Sequence, residues 1–199
     1  MRFQETRVKG AFLIDLERRE DTRGFFARSW CMREFETHGL TPRIVQINVG
    51  YTEKKAGIRG LHFQLAPHEE AKTVRCTQGA MFDVVVDLRP DSPTYKLWDG
   101  YELTRDNHQM LYVPEGCAHG YQTLMDATEM EYTTTVSYAP EAARGVRFDD
   151  LVFGIRWPLP IGVVSDADRS WPDYVVGDRA SQGGENSGSL LAGGKNGHR

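Results

Sequence analysis

Runs rich in valine, threonine, tyrosine and phenylalanine follow one another along this chain, and turn-forming residues interrupt them at short intervals. Met81-Phe82-Asp83-Val84-Val85-Val86-Asp87-Leu88 reads as a strand that stops at the turn cluster Arg89-Pro90-Asp91-Ser92-Pro93. Gln109-Met110-Leu111-Tyr112-Val113 reads as a second and stops at Pro114-Glu115-Gly116. The segment from Glu129 to Tyr138 alternates polar and apolar positions and stops at Ala139-Pro140. One helix is predicted over Met32–His38, closed by Gly39, which can take the left-handed conformation of a helix C-terminus. Many short antiparallel strands in one domain predict an all-β sandwich, jelly roll or barrel with a few short helices. No internal repeat is visible.

Composition changes that picture at one point. Residues 175–199 hold seven of the 20 glycines and no aromatic residue. Such a stretch cannot bury enough apolar surface to offset the entropy of ordering it. The expectation is therefore one domain over 1–177 and a disordered, Gly/Ser-rich tail over 178–199. With 199 residues and 40% hydrophobic content, the chain can bury a core without staples. Its 28 acidic and 24 basic side chains give a net charge of −4, which argues against a nucleic-acid partner. Three cysteines (Cys31, Cys76, Cys117) form no CxxC pair, so neither a disulfide framework nor a cysteine zinc site is expected. The longest apolar runs span only a few residues, and Met1-Arg2-Phe3-Gln4-Glu5 is no apolar signal region. A cytoplasmic protein with no membrane partner is expected.

Two histidines fall inside strand-like runs. His62 lies in Gly57-Ile58-Arg59-Gly60-Leu61-His62-Phe63-Gln64, and His119 in Pro114-Glu115-Gly116-Cys117-Ala118-His119-Gly120-Tyr121. Pro-x-Gly-x-x-His resembles the second motif of the cupin superfamily, a double-stranded β-helix or jelly-roll barrel. Metal-binding cupins supply His-x-His from their first motif, where this chain has His62-Phe63-Gln64. A divalent transition metal usually takes three or more protein ligands. The expectation is a cupin-type barrel that needs no metal and no other cofactor. Side-chain alternation puts Tyr132, Thr134, Val136 and Tyr138 on one strand face. It puts Lys72, Val74 and Cys76 on a second, and Gly60, His62 and Gln64 on a third. Arg59 has the opposite parity from His62 and joins it only through a bulge at Gly57 or Gly60.

The resemblance narrows further. Arg59 to Gln64, Lys72, Asp83 to Arg89, Ser92-Pro93-Thr94, Pro114 to Gly120, Tyr132 and Tyr138-Ala139-Pro140 follow in order. Ile155-x-Trp157-Pro158 and Ser165-Asp166-Ala167-Asp168 close the series. Together they resemble the dTDP-4-dehydrorhamnose 3,5-epimerase family over roughly residues 5–174. The resemblance implies an isomerase that inverts C3 and/or C5 of a nucleotide-linked 4-keto-6-deoxyhexose through an enolate. It implies His62 as the base, Asp168 as the acceptor that fixes its tautomer, Lys72 as the cation at the ketone oxygen and Tyr132 as the acid. Histidine suits the removal of a proton at neutral pH, and a fixed cation suits the charge that develops on the oxygen. Arg59 and His119 match positions that line the sugar or diphosphate. Gln46 and Asn48 match a polar pair near the base or phosphate. Arg23 and Phe26, in Asp21-Thr22-Arg23-Gly24-Phe25-Phe26, match residues that reach the nucleotide in a partner subunit, which implies a homodimer. Tyr138 is where a choice between one centre and two is expected to be made.

Arg28, Gly50, Glu70, Cys117 and Ala143 depart from the residues common in the family, and several fall near where nucleotide or sugar would bind. The nucleotide and sugar stay open on that account. The competing readings are a single-centre epimerase on another nucleotide sugar, a keto-isomerase, a metal-dependent cupin enzyme and a non-catalytic sugar-binding cupin.

Overall fold

The computed structural model describes residues 1–175, so the boundary at 177 and the tail over 178–199 lie outside the described residues. Two antiparallel sheets pack face to face. The first has six strands: β1 (Arg2–Glu5), β2 (Phe12–Asp15), β5 (Gln46–Thr52), β7 (Lys72–Gln78), β10 (Met110–Val113) and β12 (Thr128–Thr134). Across the sheet they run β1-β2-β10-β7-β12-β5. The second has β6 (Ile58–Gln64), β8 (Ala80–Asp87), β9 (Trp98–Thr104), β11 (Cys117–Thr123) and β13 (Ala143–Gly145), in the order β13-β6-β11-β8-β9. A separate hairpin pairs β3 (Arg19–Asp21) with β4 (Gly24–Phe26). The helices are α1 (Met32–Thr37) and α2 (Asp166–Arg169). From β5 to β13 the chain crosses between the two sheets at every step but β8 to β9, which is the crossing pattern of the expected cupin-type jelly roll.

The two inner faces share one core. Val74, Cys76 and Met130 from the first sheet meet Met81, Val85, Leu103, Cys117 and Tyr121 from the second. The outer face of the five-stranded sheet is also covered. Leu61, Phe63, Val84, Val86 and Ala118 pack there against Val146, Phe153 and Tyr174 from the C-terminal stretch. Burial on both faces explains why β8 reads as a nearly unbroken apolar run. Among the described residues no helix is long and apolar enough to cross a membrane.

Strand ends follow the sequence closely where turn chemistry sets them. β8 covers Ala80–Asp87 and β10 covers Met110–Val113. Helix α1 ends at Thr37 with His38 as its cap, and Gly39 takes φ +70°. β12 differs. It ends at Thr134 and not at Tyr138. Beyond that point the Tyr138 N–H bonds to Gln46 Oε1 (2.8 Å), so Tyr138 leaves the strand ladder for a side-chain anchor.

Candidate active site

The five-stranded sheet contributes one wall. Residues directly opposite on paired strands project to the same side. His119 pairs with His62 and Tyr121 with Arg59, while Gly60 faces Gly120. The register shifts between His119 and Gly120, so β6 carries one more residue than β11 across this step. That bulge turns His62 and Arg59, three positions apart, onto the inner face, whereas Leu61 and Phe63 bury in the outer core. Gly60 therefore does not share the face of His62, and Arg59 takes the place expected for it. Gly60 holds φ +100°, and a Cβ there would lie 2.7 Å from the His119 carbonyl oxygen, so glycine is required.

His62 and Asp168 form a dyad. His62 Nε2 lies 2.6 Å from Asp168 Oδ1, and Asp168 Oδ2 accepts a hydrogen bond from the Gly60 N–H at 3.3 Å. Asp168 is buried on α2, and the Ser165 hydroxyl accepts from its N–H at 3.1 Å. Burial raises the Asp168 carboxyl, but the bond to His62, its charge, and the Gly60 and Ser165 contacts outweigh that and leave it below its ordinary value. An ionised Asp168 fixes the His62 proton on Nε2 and leaves Nδ1 as the ring nitrogen with a lone pair. The His62 side chain is half-exposed, so a ligand can reach it. Deeper in the barrel, His119 Nε2 lies 2.7 Å from Asp83 Oδ1, and both side chains are buried. Burial raises the Asp83 carboxyl, with His119 and Lys72 pulling against it. Its second oxygen, Oδ2, is buried without a hydrogen-bond partner among the described residues.

The six-stranded sheet supplies the facing wall. Tyr132 sits between Val74 and Asn48, and Thr134 sits between Lys72 and Gln46. Lys72, Tyr132, Gln46 and Asn48 therefore occupy two adjacent rungs of one face, and Val74 and Tyr132 belong to the shared inner core. Lys72 Nζ contacts Glu70 Oε1 at 3.0 Å and donates to the His62 carbonyl oxygen at 3.2 Å. Burial pushes the Tyr132 phenol above its ordinary value, and the negative charge of Glu70 and the neighbouring Tyr121 and Tyr138 push it the same way. Arg59 is exposed and bonds Thr52 Oγ1 (2.9 Å) and the Tyr51 carbonyl (2.8 Å) at the end of β5. Gln46 already uses its carbonyl oxygen on Tyr138, which is exposed beside the site.

Arg23 and Phe26 stand apart. They lie on the β3–β4 hairpin, whose six strand residues are all exposed and whose strands pair only with each other. Arg23 is ion-paired to Asp21 (2.5 Å), and Phe26 is 72% exposed. Three polar residues were given no role in the site by the sequence: Asp83, Glu70 and Gln64. Asp83 stood only as the first residue of the Asp83-to-Arg89 motif, and Glu70 only as a departure from the residue common in the family. Gln64 is buried and anchors the Ala139 N–H at 2.6 Å. Among the described residues no group of three or more His, Cys, Asp or Glu side chains could hold a metal ion.

An imidazole–carboxylate pair on one wall, with an ammonium and a phenol on the other, suits proton transfer on both faces of a ligand held between them. Comparison with known proteins gives a consistent result. The family model described as dTDP-4-dehydrorhamnose 3,5-epimerase matches residues 5–175. A protein of that name from Sinorhizobium fredii is 40% identical over 173 residues, 86% of this chain and 89% of the relative. The crystal structure of a Bacillus anthracis dTDP-4-dehydrorhamnose 3,5-epimerase with TDP and PPi bound is 42% identical. It superposes with a TM-score of 0.83 over 87% of this chain and 99% of that one. A 3'-monoepimerase from Streptomyces bikiniensis in complex with dTDP-quinovose is 28% identical, with a TM-score of 0.77 over 83% and 84%.

Proposed function

Because this chain belongs to the dTDP-4-dehydrorhamnose 3,5-epimerase family and is an isomerase, we propose that it inverts C3 and C5 of a dTDP-4-keto-6-deoxyhexose. The observation that carries this reading is the opposition of the two walls. His62, paired with Asp168 of α2, stands on one sheet, and Lys72 and Tyr132 project from the inner face of the other.

His62 Nδ1 removes the proton on the carbon beside the C4 ketone. The C–H electron pair moves into the ring, and the ketone oxygen takes up the negative charge. Lys72 holds that charge as an ammonium, and Asp168 stabilises the imidazolium through Nε2–H. Tyr132 then gives its phenolic proton to the same carbon from the opposite face. The ketone re-forms, and that centre is inverted. His62 releases its proton to water, and Tyr132 recovers one from water. A phenol held above its ordinary value stays protonated until it is needed. These steps use side chains alone and route nothing through a metal.

His119, in its buried pair with Asp83, lines the sugar, and Asn48 and Gln46 border it from the facing wall. Arg59 presents a guanidinium to the diphosphate. The hairpin residues Arg23 and Phe26 extend away from their own barrel and reach the nucleotide of a second subunit, so the working form is a homodimer. Support for the dimer comes from β5, which among the described residues pairs only with β12. Its outward residues Ile47, Val49 and Tyr51 are 60%, 62% and 50% exposed, an apolar row on an open edge. A charged nucleotide sugar also fits a cytoplasmic setting.

Inversion of one centre only is the second reading. The structural likeness to the 3'-monoepimerase favours it, and Tyr138, exposed beside Tyr132, is the residue to examine. Incubation with dTDP-4-keto-6-deoxyglucose and a rhamnose-forming reductase separates the two. A dTDP-rhamnose product supports double inversion. A product inverted at one carbon supports the second reading, and unchanged substrate contradicts both.

A further inference from the structure

Lysine carries three N–H donors and no acceptor. In this site two of the three have fixed partners: Glu70 Oε1 at 3.0 Å and the His62 carbonyl oxygen at 3.2 Å. Fixing two leaves the third with one direction. The Lys72 and Glu70 side chains are only 7% and 10% exposed, so water does little to hold the ammonium in place. A buried charge needs a partner, and Glu70 supplies it.

Glu70 is itself held. Its second oxygen, Oε2, accepts a hydrogen bond from Gln64 Nε2 at 3.3 Å. The same amide donates to the His68 carbonyl (2.9 Å), and Gln64 Oε1 accepts from the Ala139 N–H (2.6 Å). Gln64 and His62 lie on the same strand, β6. One continuous set of hydrogen bonds therefore runs from the segment bearing Tyr138, through Gln64 and Glu70, to Lys72 and back to the backbone of His62.

We infer that Glu70 is a positioning residue, which aims the free N–H of Lys72 at the substrate ketone oxygen and fixes the distance between that cation and the base His62. The inference rests on the proton-transfer reading above. It assigns a task to a carboxylate that touches no reacting atom. The negative charge that raises the Tyr132 phenol is in part that of Glu70, so the carboxylate lies near the acid as well as the cation.

The test compares wild type, Glu70→Gln, Glu70→Asp, Lys72→Gln and the double variant Glu70→Gln/Lys72→Gln. Each is assayed on dTDP-4-keto-6-deoxyglucose by loss of the C3 and C5 hydrogens, and each is examined by lysine 15N NMR. Glu70→Gln keeps the shape and removes the charge. It should lower kcat by up to about 100-fold, the cost of a misdirected group, and leave KM little changed. Glu70→Asp should recover part of that loss. In the Lys72→Gln background, Glu70→Gln should add almost nothing, because a residue that acts through Lys72 has nothing left to act on. The hydrogen-bonded Lys72 ammonium signal, identified by its absence in Lys72→Gln, should be present in wild type and lost in Glu70→Gln. A wild-type kcat in Glu70→Gln, or an undiminished effect of that change without Lys72, would overturn the inference. An inactive wild type whose Lys72 signal still depends on Glu70 would instead overturn the proposed reaction and leave the anchoring intact.

Discussion

At the scale of single residues, the proposed base and the proposed cation are each paired with a fixed carboxylate, His62 with Asp168 and Lys72 with Glu70. Asp168 shows this most directly, because its carboxyl is held below its ordinary value by His62 despite burial. A depressed carboxylate adds stability above its unfolded value of about 4, and that contribution is lost as pH falls through the lower folded value. Asp168→Asn should therefore melt below wild type at pH 7, and the gap should close on acidification below about pH 4. Thermal melts across that range check it. The same change leaves the His62 tautomer undefined and should lower kcat by as much as about ten-thousand-fold. His62, His119, Lys72, Tyr132 and Asp168 could be proposed from the sequence because their order and spacing together resemble a family; Lys72 or Tyr132 alone would read as a surface lysine or a core aromatic. A role for Asp83 could not be proposed, since its bond to His119 spans 36 positions and depends on the register of β8 against β11. No local pattern encodes that register.

At the scale of elements, the decisive feature is the bulge in β6. Parity alone said that Arg59 and His62 could act together only with an inserted residue near a glycine, and the structure has it at Gly60-Leu61. Gly60→Ala would drive a Cβ to 2.7 Å from the His119 carbonyl oxygen and 2.9 Å from Gly120 Cα. Both are backbone atoms with no rotamer to yield. The expected cost is about 1–3 kcal/mol in stability, with loss of activity as Arg59 and His62 lose their common face. Melting temperature and kcat together report it. The end of β12 was not legible. Alternation continues to Tyr138, but the strand stops at Thr134, and beyond it a hydrogen bond donated by the Tyr138 N–H to Gln46 of another strand overrides the pattern. Turn chemistry is local and can be read, whereas an anchor supplied by a neighbouring strand cannot.

At the scale of the whole molecule, two sheets enclose one inner core and the C-terminal stretch seals the outer face of the second. Short apolar runs between turns were enough to predict an all-β sandwich, jelly roll or barrel, and the resemblance around His119 narrowed that to the cupin type. The order of the strands was not in the pattern, since most neighbours within a sheet, such as β2 and β10 or β5 and β12, come from distant segments. The open face of β5 carries the prediction at this level. Val49→Lys places a charge in the exposed apolar row and should convert the proposed dimer to a monomer in analytical ultracentrifugation. The monomer should show a raised KM, because Arg23 and Phe26 no longer reach a second barrel. A Val49→Lys protein that sediments as wild type would move the interface elsewhere.

The central claim is that His62 removes a carbon-bound proton and Tyr132 returns one from the other side. Proton NMR in deuterated buffer measures this directly, with H3 and H5 of dTDP-4-keto-6-deoxyglucose followed over time for wild type, His62→Ala and Tyr132→Phe. Wild type should exchange both signals. His62→Ala should exchange neither while keeping its fold, and Tyr132→Phe should still exchange at some centre but form no inverted sugar. Wild-type exchange in folded His62→Ala, or full epimerisation by Tyr132→Phe, would contradict the account.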